Sequence, residues 1–203
     1  CYPDSSLPLR ECNLWDGAPN STVDAHGLAK RIIQAYSSQL GKNNELKSVC
    51  CVFNTVFGPY DSFEVNKTKV VGSLIAKVVN AKIEDRANIV CWGTGNPRRE
   101  IIYCDDVADG LVNTLKYYED SSEPINLGFG MENEISIAEL VSMIKELVDY
   151  KGSIIWDLTK PDGQYRKLLD ISKMKNLDIK IQKTSIKEGL LKTINWYKEN
   201  CKA

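Results

Sequence analysis

Two short apolar runs joined by a loop of fixed course narrow the fold of this chain more than any other stretch. Residues 89–92 read as a strand, the loop after them holds Gly93, Gly95 and Pro97, and residues 101–103 read as a second strand. Asp105 then stands where a helix N-cap belongs, with Asp106 in the first turn. The loop delivers Arg98 and Arg99. Two readings of those arginines stand on local chemistry. Held by the glycines and the proline, an arginine forks onto a phosphate or a carboxylate; otherwise the segment is a strand-turn-strand whose arginines face water.

On either side of this stretch, strand and helix patterns alternate. Residues 1–23 are irregular, punctuated by Pro3, Pro8, Gly17 and Pro19. Residues 24–40 predict a helix, because Leu28, Ile32, Ile33, Ala35 and Tyr36 recur near helical spacing and Gly41 closes the run. Residues 46–53 predict a buried strand in which the Cys50 and Cys51 side chains point to opposite faces. A second amphipathic helix is expected over 66–81, with Val70, Val71, Leu74, Ile75, Val78 and Val79 on its apolar side. A helix over 106–118 and a strand over 124–127 follow. Ser136 and Glu139 make a capping-box pattern that opens a helix ending near Tyr150. An edge strand over 153–156, a basic turn over 160–167 and a helix over 185–198 complete the chain, the last with Ile186, Leu190, Ile194 and Tyr197 inward.

Composition removes several function classes. With 43% hydrophobic residues and a formal net charge of −1 over 203 residues, the chain can bury an ordinary core and lacks the basic footprint of a nucleic-acid binder. No apolar run reaches membrane-spanning length, and no basic-then-apolar leader opens the chain, so neither a membrane nor a secretory role is expected. Seven cysteines without a C-x-x-C pair, beside one histidine, offer no metal set or disulfide framework. A reduced, cytoplasmic compartment fits that usage.

The stretch WGTGNPRREIIYCDDVADG at 92–110 closely resembles the matching segment of the GDP-L-fucose synthase family of extended short-chain dehydrogenase/reductases. The resemblance covers nearly the whole chain: YPD at 2–4, the helix bearing Lys30, VFGPYDSF at 56–63, INLGFG at 125–130 and KPDGQYRKLLD at 160–170 fall in family order. It implies an α/β fold comprising the C-terminal part of a Rossmann-type parallel sheet plus a small mixed α/β substrate-binding lobe. The expected division is 1–90 for the Rossmann part and 91–203 for a lobe with interleaved Rossmann segments. No G-x-G-x-x-G loop occurs in the chain, so the resemblance places its start after the strand carrying the family serine, and a fragment or the loss of the cofactor-binding half is expected.

Site residues carry over position by position. In the family a Tyr-x-x-x-Lys pair projects from one helix face, the tyrosine donating a proton to the reduced carbonyl and the lysine binding the nicotinamide ribose of NADP. Here Lys30 is kept and the tyrosine position is His26. The epimerase acid/base pair of the family is a cysteine and a histidine. Cys1 takes the first place if one position is deleted, and Lys69 stands at the second. Asn54, Thr55 and Val56 match the cofactor-side turn, with asparagine and threonine interchanged. Trp92 and Arg99 match residues that touch the GDP-sugar, and Lys77 falls near the pyrophosphate or simply on a solvated helix face. Asp162 is expected to accept from sugar hydroxyls, and Arg166 or Lys167 to hold phosphate. The implied activity is NADPH-dependent epimerisation and reduction of GDP-4-keto-6-deoxy-D-mannose by a homodimer. The alternative is a catalytically inactive GDP-sugar-binding remnant or partner subunit.

Overall fold

The computed structural model describes residues 1–4, 7–20, 24–43, 47–64, 69–117 and 123–201. The chain forms two compact units by weaving: one takes residues 1–54, 105–132 and 167–183, and the other takes 55–104, 133–166 and 184–203.

In the first unit, helix α1 (Asp24–Lys42) precedes strand β1 (Cys51–Val52), which pairs in parallel with β5 (Ile125–Asn126). Helix α3 (Cys104–Tyr117) enters this unit after its first residue, and α5 (Ser172–Asn176) returns to it near the end. The parallel pair is shorter than the strand patterns at 46–53 and 124–127, of which residue 46 lies outside the described residues. Its ladder is extended by single bonds, Ile125 N to the Cys50 oxygen and Leu127 N to the Val52 oxygen, both 2.9 Å. Asn126 has no exposed surface and knits four segments together. It accepts from the Tyr2 hydroxyl at 2.6 Å and donates to the carbonyls of Leu9 and Asp170, while its N–H reaches Glu11. A buried amide with every bond made is well tolerated; one left unpaired would be costly. Burial, with Glu11 adding to it, pushes the Tyr2 phenol above its ordinary range.

Helix α1 reverses the expected polarity. Gly27, Arg31, Gln34 and Ser38 are its buried residues, whereas Leu28, Ile32, Ile33 and Tyr36 are exposed. Arg31 explains part of this inversion: Nε donates to the Cys1 carbonyl at 2.7 Å and Nη1 to that of Gly17 at 2.6 Å, anchoring the irregular N-terminal segment on the helix. The helix also runs through Gly41, because Asn43 N–H still reaches the Gln39 carbonyl.

The second unit holds the larger core. Strand β2 (Thr55–Phe57) pairs in parallel with β4 (Arg98–Tyr103), and β6 (Glu134–Ser136) pairs antiparallel with β4. Strand β8 (Arg166–Lys167) also joins β4, and β3 (Asn88–Trp92) pairs in parallel with β7 (Ser153–Asp157). Helices α2 (Val70–Ile83), α4 (Ile137–Val148) and α6 (Ile186–Asn200) bury Ile75, Leu140, Ile144, Leu190 and Ile194 completely, against Ile101 of β4. The capping box forms as read: Glu139 N–H donates to Ser136 Oγ, and Ser136 N–H donates to the Glu139 carboxylate. The expected boundary at residue 90 is displaced. Residues 55–90 sit in the second unit because β2 and α2 pack with β4 and α4, while 105–132 return to the first. Residues 66–68, expected to open the second helix, lie outside the described residues; α2 starts at Val70.

The central loop is shorter than its glycines suggest. Arg98 and Arg99 are the first residues of β4, opposite Ser136 and Ile135, and Arg98 N–H meets the Tyr165 carbonyl at 2.9 Å. Two unforeseen short strands, β6 and β8, thus convert a loop into a ladder. The helix after β4 begins at Cys104, which leaves Asp105 and Asp106 both in its first turn.

Candidate functional site

The turn between β3 and β4 is built from both ends. Gly93 and Gly95 have φ of +74° and +77°, a region L side chains rarely adopt. A Cβ on Gly95 would fall 2.6 Å from the Trp156 ring. Asp162 fastens the turn from the following loop, its carboxylate accepting from Thr94 N–H at 2.6 Å and from Thr94 Oγ1 at 2.8 Å. The carbonyls of Gly95 and Pro97 accept from Ala138 and Ile137 N–H groups, so the start of α4 holds the far side.

Trp92 ends β3 with its indole 53% exposed, and two ammonium groups stand over it. Lys77 Nζ lies 5.8 Å and Lys160 Nζ 5.7 Å from the ring centroid. Such a face attracts cations and can also stack on a planar base. Lys77 additionally donates to the Val90 carbonyl at 3.2 Å. Beside them opens a cavity of about 610 Å³, lined by Lys77, Asn80, Arg86, Asn88, Val90 and Trp92. Its volume falls in the range of small-ligand clefts.

Arg99 is the unusual cation. Its Nη1 donates to the Arg98 carbonyl at 2.7 Å and to the Tyr165 carbonyl at 3.5 Å, and among the described residues no carboxylate pairs with it. The pleat accounts for this: Arg98 and Glu100 point to one side of β4 and Arg99 to the other. Burial alone pushes the guanidinium below its ordinary pKa. A half-buried cation satisfied only by carbonyls is poised for an anion.

Other expected site residues divide between the units. His26 and Lys30 lie one turn apart on α1, both exposed. Cys1 is half-buried at the same helix, its Cα 3.4 Å from where a Cβ on Gly27 would be. Burial first, then Lys167 and Arg31, hold the Cys1 amine below its ordinary pKa, which puts Lys167 in this neighbourhood. Asn54 closes the first unit, whereas Thr55 and Val56 open β2 opposite Ile101 and Ile102. Lys69 is the exposed N-cap of α2 and makes no side-chain capping bond. Arg166 spends its Nε and Nη2 on the Glu134 carboxylate, which leaves Nη1 outside that fork. Asp162 is likewise engaged, by Thr94. Sequence reasoning missed Lys160 and Glu134; the lysine was visible beside the KPDG turn, but nothing local links either residue to Trp92 or Arg99. Among the described residues no cluster of three or more His, Cys, Asp or Glu could hold a metal, and no helix is long and apolar enough to cross a membrane.

A parallel β-pair with its helices in one unit, interleaved in sequence with a mixed α/β unit that bears a cationic, tryptophan-lined cleft, is the α/β architecture of a Rossmann-type protein. The chain belongs to the NAD dependent epimerase/dehydratase family, whose sequence pattern matches residues 1–128. It is 36% identical to the probable GDP-L-fucose synthase 1 of Oryza sativa subsp. japonica, over 98% of this chain and 60% of that protein. Against the GDP-L-fucose synthase of Escherichia coli strain K12 identity is 29%, over 98% and 64% of the two chains. A crystal structure of a GDP-L-fucose synthetase from Naegleria fowleri superposes with a TM-score of 0.89 at 30% identity, covering 98% of this chain and 62% of that one. A second crystal structure of that synthetase, bound to NADP, gives 0.87 at 29% identity, over 98% and 63% of the two chains. The chain thus spans about three fifths of the length of the relatives it matches.

Proposed function

We propose that this chain works in the NADPH-dependent epimerisation and reduction of a GDP-linked 4-keto-6-deoxymannose, with the second unit holding the GDP-sugar. The observation that carries this reading is Arg99, a half-buried guanidinium whose partners among the described residues are carbonyls. Lys77 and Lys160 add positive charge around the Trp92 ring, which offers a stacking face, and the fastening of Thr94 by Asp162 keeps that face in place. A diphosphate needs such cations, and the bidentate fork of arginine suits it best. Arg99 therefore binds the diphosphate and Trp92 the flat or apolar face of the ligand.

The family cofactor is NADP, which in its reduced form, NADPH, would supply hydride when bound. Residues of this chain that suit it are Lys30, exposed and free to bind the nicotinamide ribose, and the turn at Asn54, Thr55 and Val56. His26, one helical turn before Lys30, can hold and donate a proton at a ring nitrogen, in the position the family gives to a phenol. Lys69 at the start of α2 occupies the place of the second acid/base group. The relatives named GDP-L-fucose synthase and the NADP-bound neighbour support this assignment. A homodimer accounts for the outward apolar residues of α1, Leu28, Ile32, Ile33 and Tyr36. A cytoplasmic location accords with the cysteine usage.

His26 and Lys69 favour a second reading, in which the chain binds GDP-sugar without turning it over. Titration calorimetry with GDP-fucose and with NADPH, each alone, separates the two. Binding of both, with hydride consumed on the 4-keto sugar, supports the enzyme. Binding of GDP-fucose alone supports the silent binder, and binding of neither refutes the site. Arg99→Ala is expected to weaken GDP-fucose binding at least about tenfold with the fold intact.

A further inference from the structure

The two carbonyls that hold the Arg99 guanidinium are themselves held. The Tyr165 oxygen takes both Arg98 N–H at 2.9 Å and Arg99 Nη1 at 3.5 Å, so one carbonyl ties β4 to the chain entering β8. The next residue is locked: Arg166 Nε and Nη2 straddle the Glu134 carboxylate at 2.5 and 2.9 Å. The same carboxylate stands 3.4 Å from Arg98 Nε, and the Glu134 carbonyl accepts from Arg98 Nη2 at 3.2 Å. Glu134 therefore grips the residues that carry or adjoin both acceptors of Arg99.

Its setting makes that grip firm. The Glu134 side chain is only 8% exposed, and a bidentate fork to a planar guanidinium is both strong and directional. Glu134 also stands opposite Glu100 across the β4–β6 ladder, where two carboxylates alone would repel. Arg98 and Arg166 supply the compensating charge. Glu139 adds a second acid to Arg98, 3.4 Å from its Nη1. Arg99, on the other side of the strand, keeps its charge uncompensated.

We propose that Glu134 is a positioning residue: by clamping Arg98 and Arg166 it fixes the Arg98 and Tyr165 carbonyls, and these aim the Arg99 guanidinium at the diphosphate of the sugar nucleotide. This rests on the reading of Arg99 as the anion-binding group. The test is a double-mutant cycle read by calorimetric titration with GDP-fucose, using the unaltered chain, Glu134→Gln, Arg99→Ala and the double variant. Glu134→Gln is expected to weaken binding about tenfold in the unaltered background and by less than about twofold once Arg99 is gone. A purely structural glutamate would cost the same in both backgrounds, and that result overturns the proposal. So does an undiminished affinity of Glu134→Gln while Arg99→Ala loses binding. Unchanged binding by Arg99→Ala refutes the underlying site assignment as well. If circular dichroism shows that Glu134→Gln fails to fold, Arg166→Met removes the other half of the clamp and must show the same dependence on Arg99.

Discussion

Gly95 and Gly163 form an internal comparison for the claim that the turn after Trp92 is braced by its neighbours. Both have positive φ, +77° and +71°, and both belong to the second unit. They differ in surroundings: a Cβ on Gly163 meets nothing within 4 Å, whereas on Gly95 it falls 2.6 Å from two carbons of Trp156. Gly163→Ala should therefore report backbone strain alone, about 1 kcal/mol. Gly95→Ala carries the same strain plus an overlap of about 1 Å against a normal carbon contact of roughly 3.5–4 Å. Trp156 packs against the core and can yield only by disturbing it, and overpacking of this kind costs about 1–3 kcal/mol. The total of about 2–4 kcal/mol corresponds to a fall in Tm of roughly 5–15 °C for a chain of this size, against about 2–4 °C for Gly163→Ala. Thermal unfolding followed by far-ultraviolet circular dichroism on both variants makes the measurement. If the two melt within about 2 °C of each other, the turn is not braced by the Trp156 ring and its course owes nothing to β7.

Further outcomes follow from charges and caps. Lys77→Met should weaken GDP-fucose binding several-fold at low salt and by less at high salt, since it removes a partly exposed cation; calorimetry at two ionic strengths reads this. Ser136→Ala removes the acceptor for Glu139 N–H and should lower stability by about 1 kcal/mol, visible as a fall in Tm of about 2–4 °C. Glu134, Glu139 and Asp170 are all held below their ordinary pKa values, by the Arg166 hydrogen bond and by bonds from Ser136 and Ser172 respectively. A depressed carboxylate stabilises the fold above its unfolded pKa and stops doing so as pH falls through its folded one. Tm should thus decline as pH drops below about 4.5, and Glu134→Gln should flatten that decline; a Tm independent of pH there contradicts the assignment.

The helices were legible because their apolar spacing survives in one dimension: α2 and α6 bury most of the residues their patterns chose, with Val70 and Ile186 half-buried, Ser136 and Glu139 cap as written, and the likeness to the epimerase/dehydratase family is distributed along the chain. Strand ends were not legible. Whether Arg98 and Arg99 sit in a loop or on a strand depends on residues 134–136 and 165, which no local window contains. Helix α1 misled for a different reason. Its spacing identified a helix, but the polar side turned in, in part because Arg31 finds two carbonyls of the N-terminal segment, and Leu28, Ile32, Ile33 and Tyr36 turned out. Within the site, Trp92 and Arg99 were recognisable by resemblance. The engagement of Asp162 by Thr94 and of Arg166 by Glu134 was not legible, because it is a matter of three-dimensional proximity.

Weaving has a consequence for how the chain is made. Neither half can be finished when its first segment leaves the ribosome, because the first needs residues 167–183 and the second needs Leu190 and Ile194 of the last helix. Vectorial synthesis therefore keeps two incomplete cores waiting at once until residues 167–194 have been made. Slowing translation over the codons for residues 167–194 should lengthen that exposure more than slowing it earlier in these segments, and chaperone demand should track that stretch.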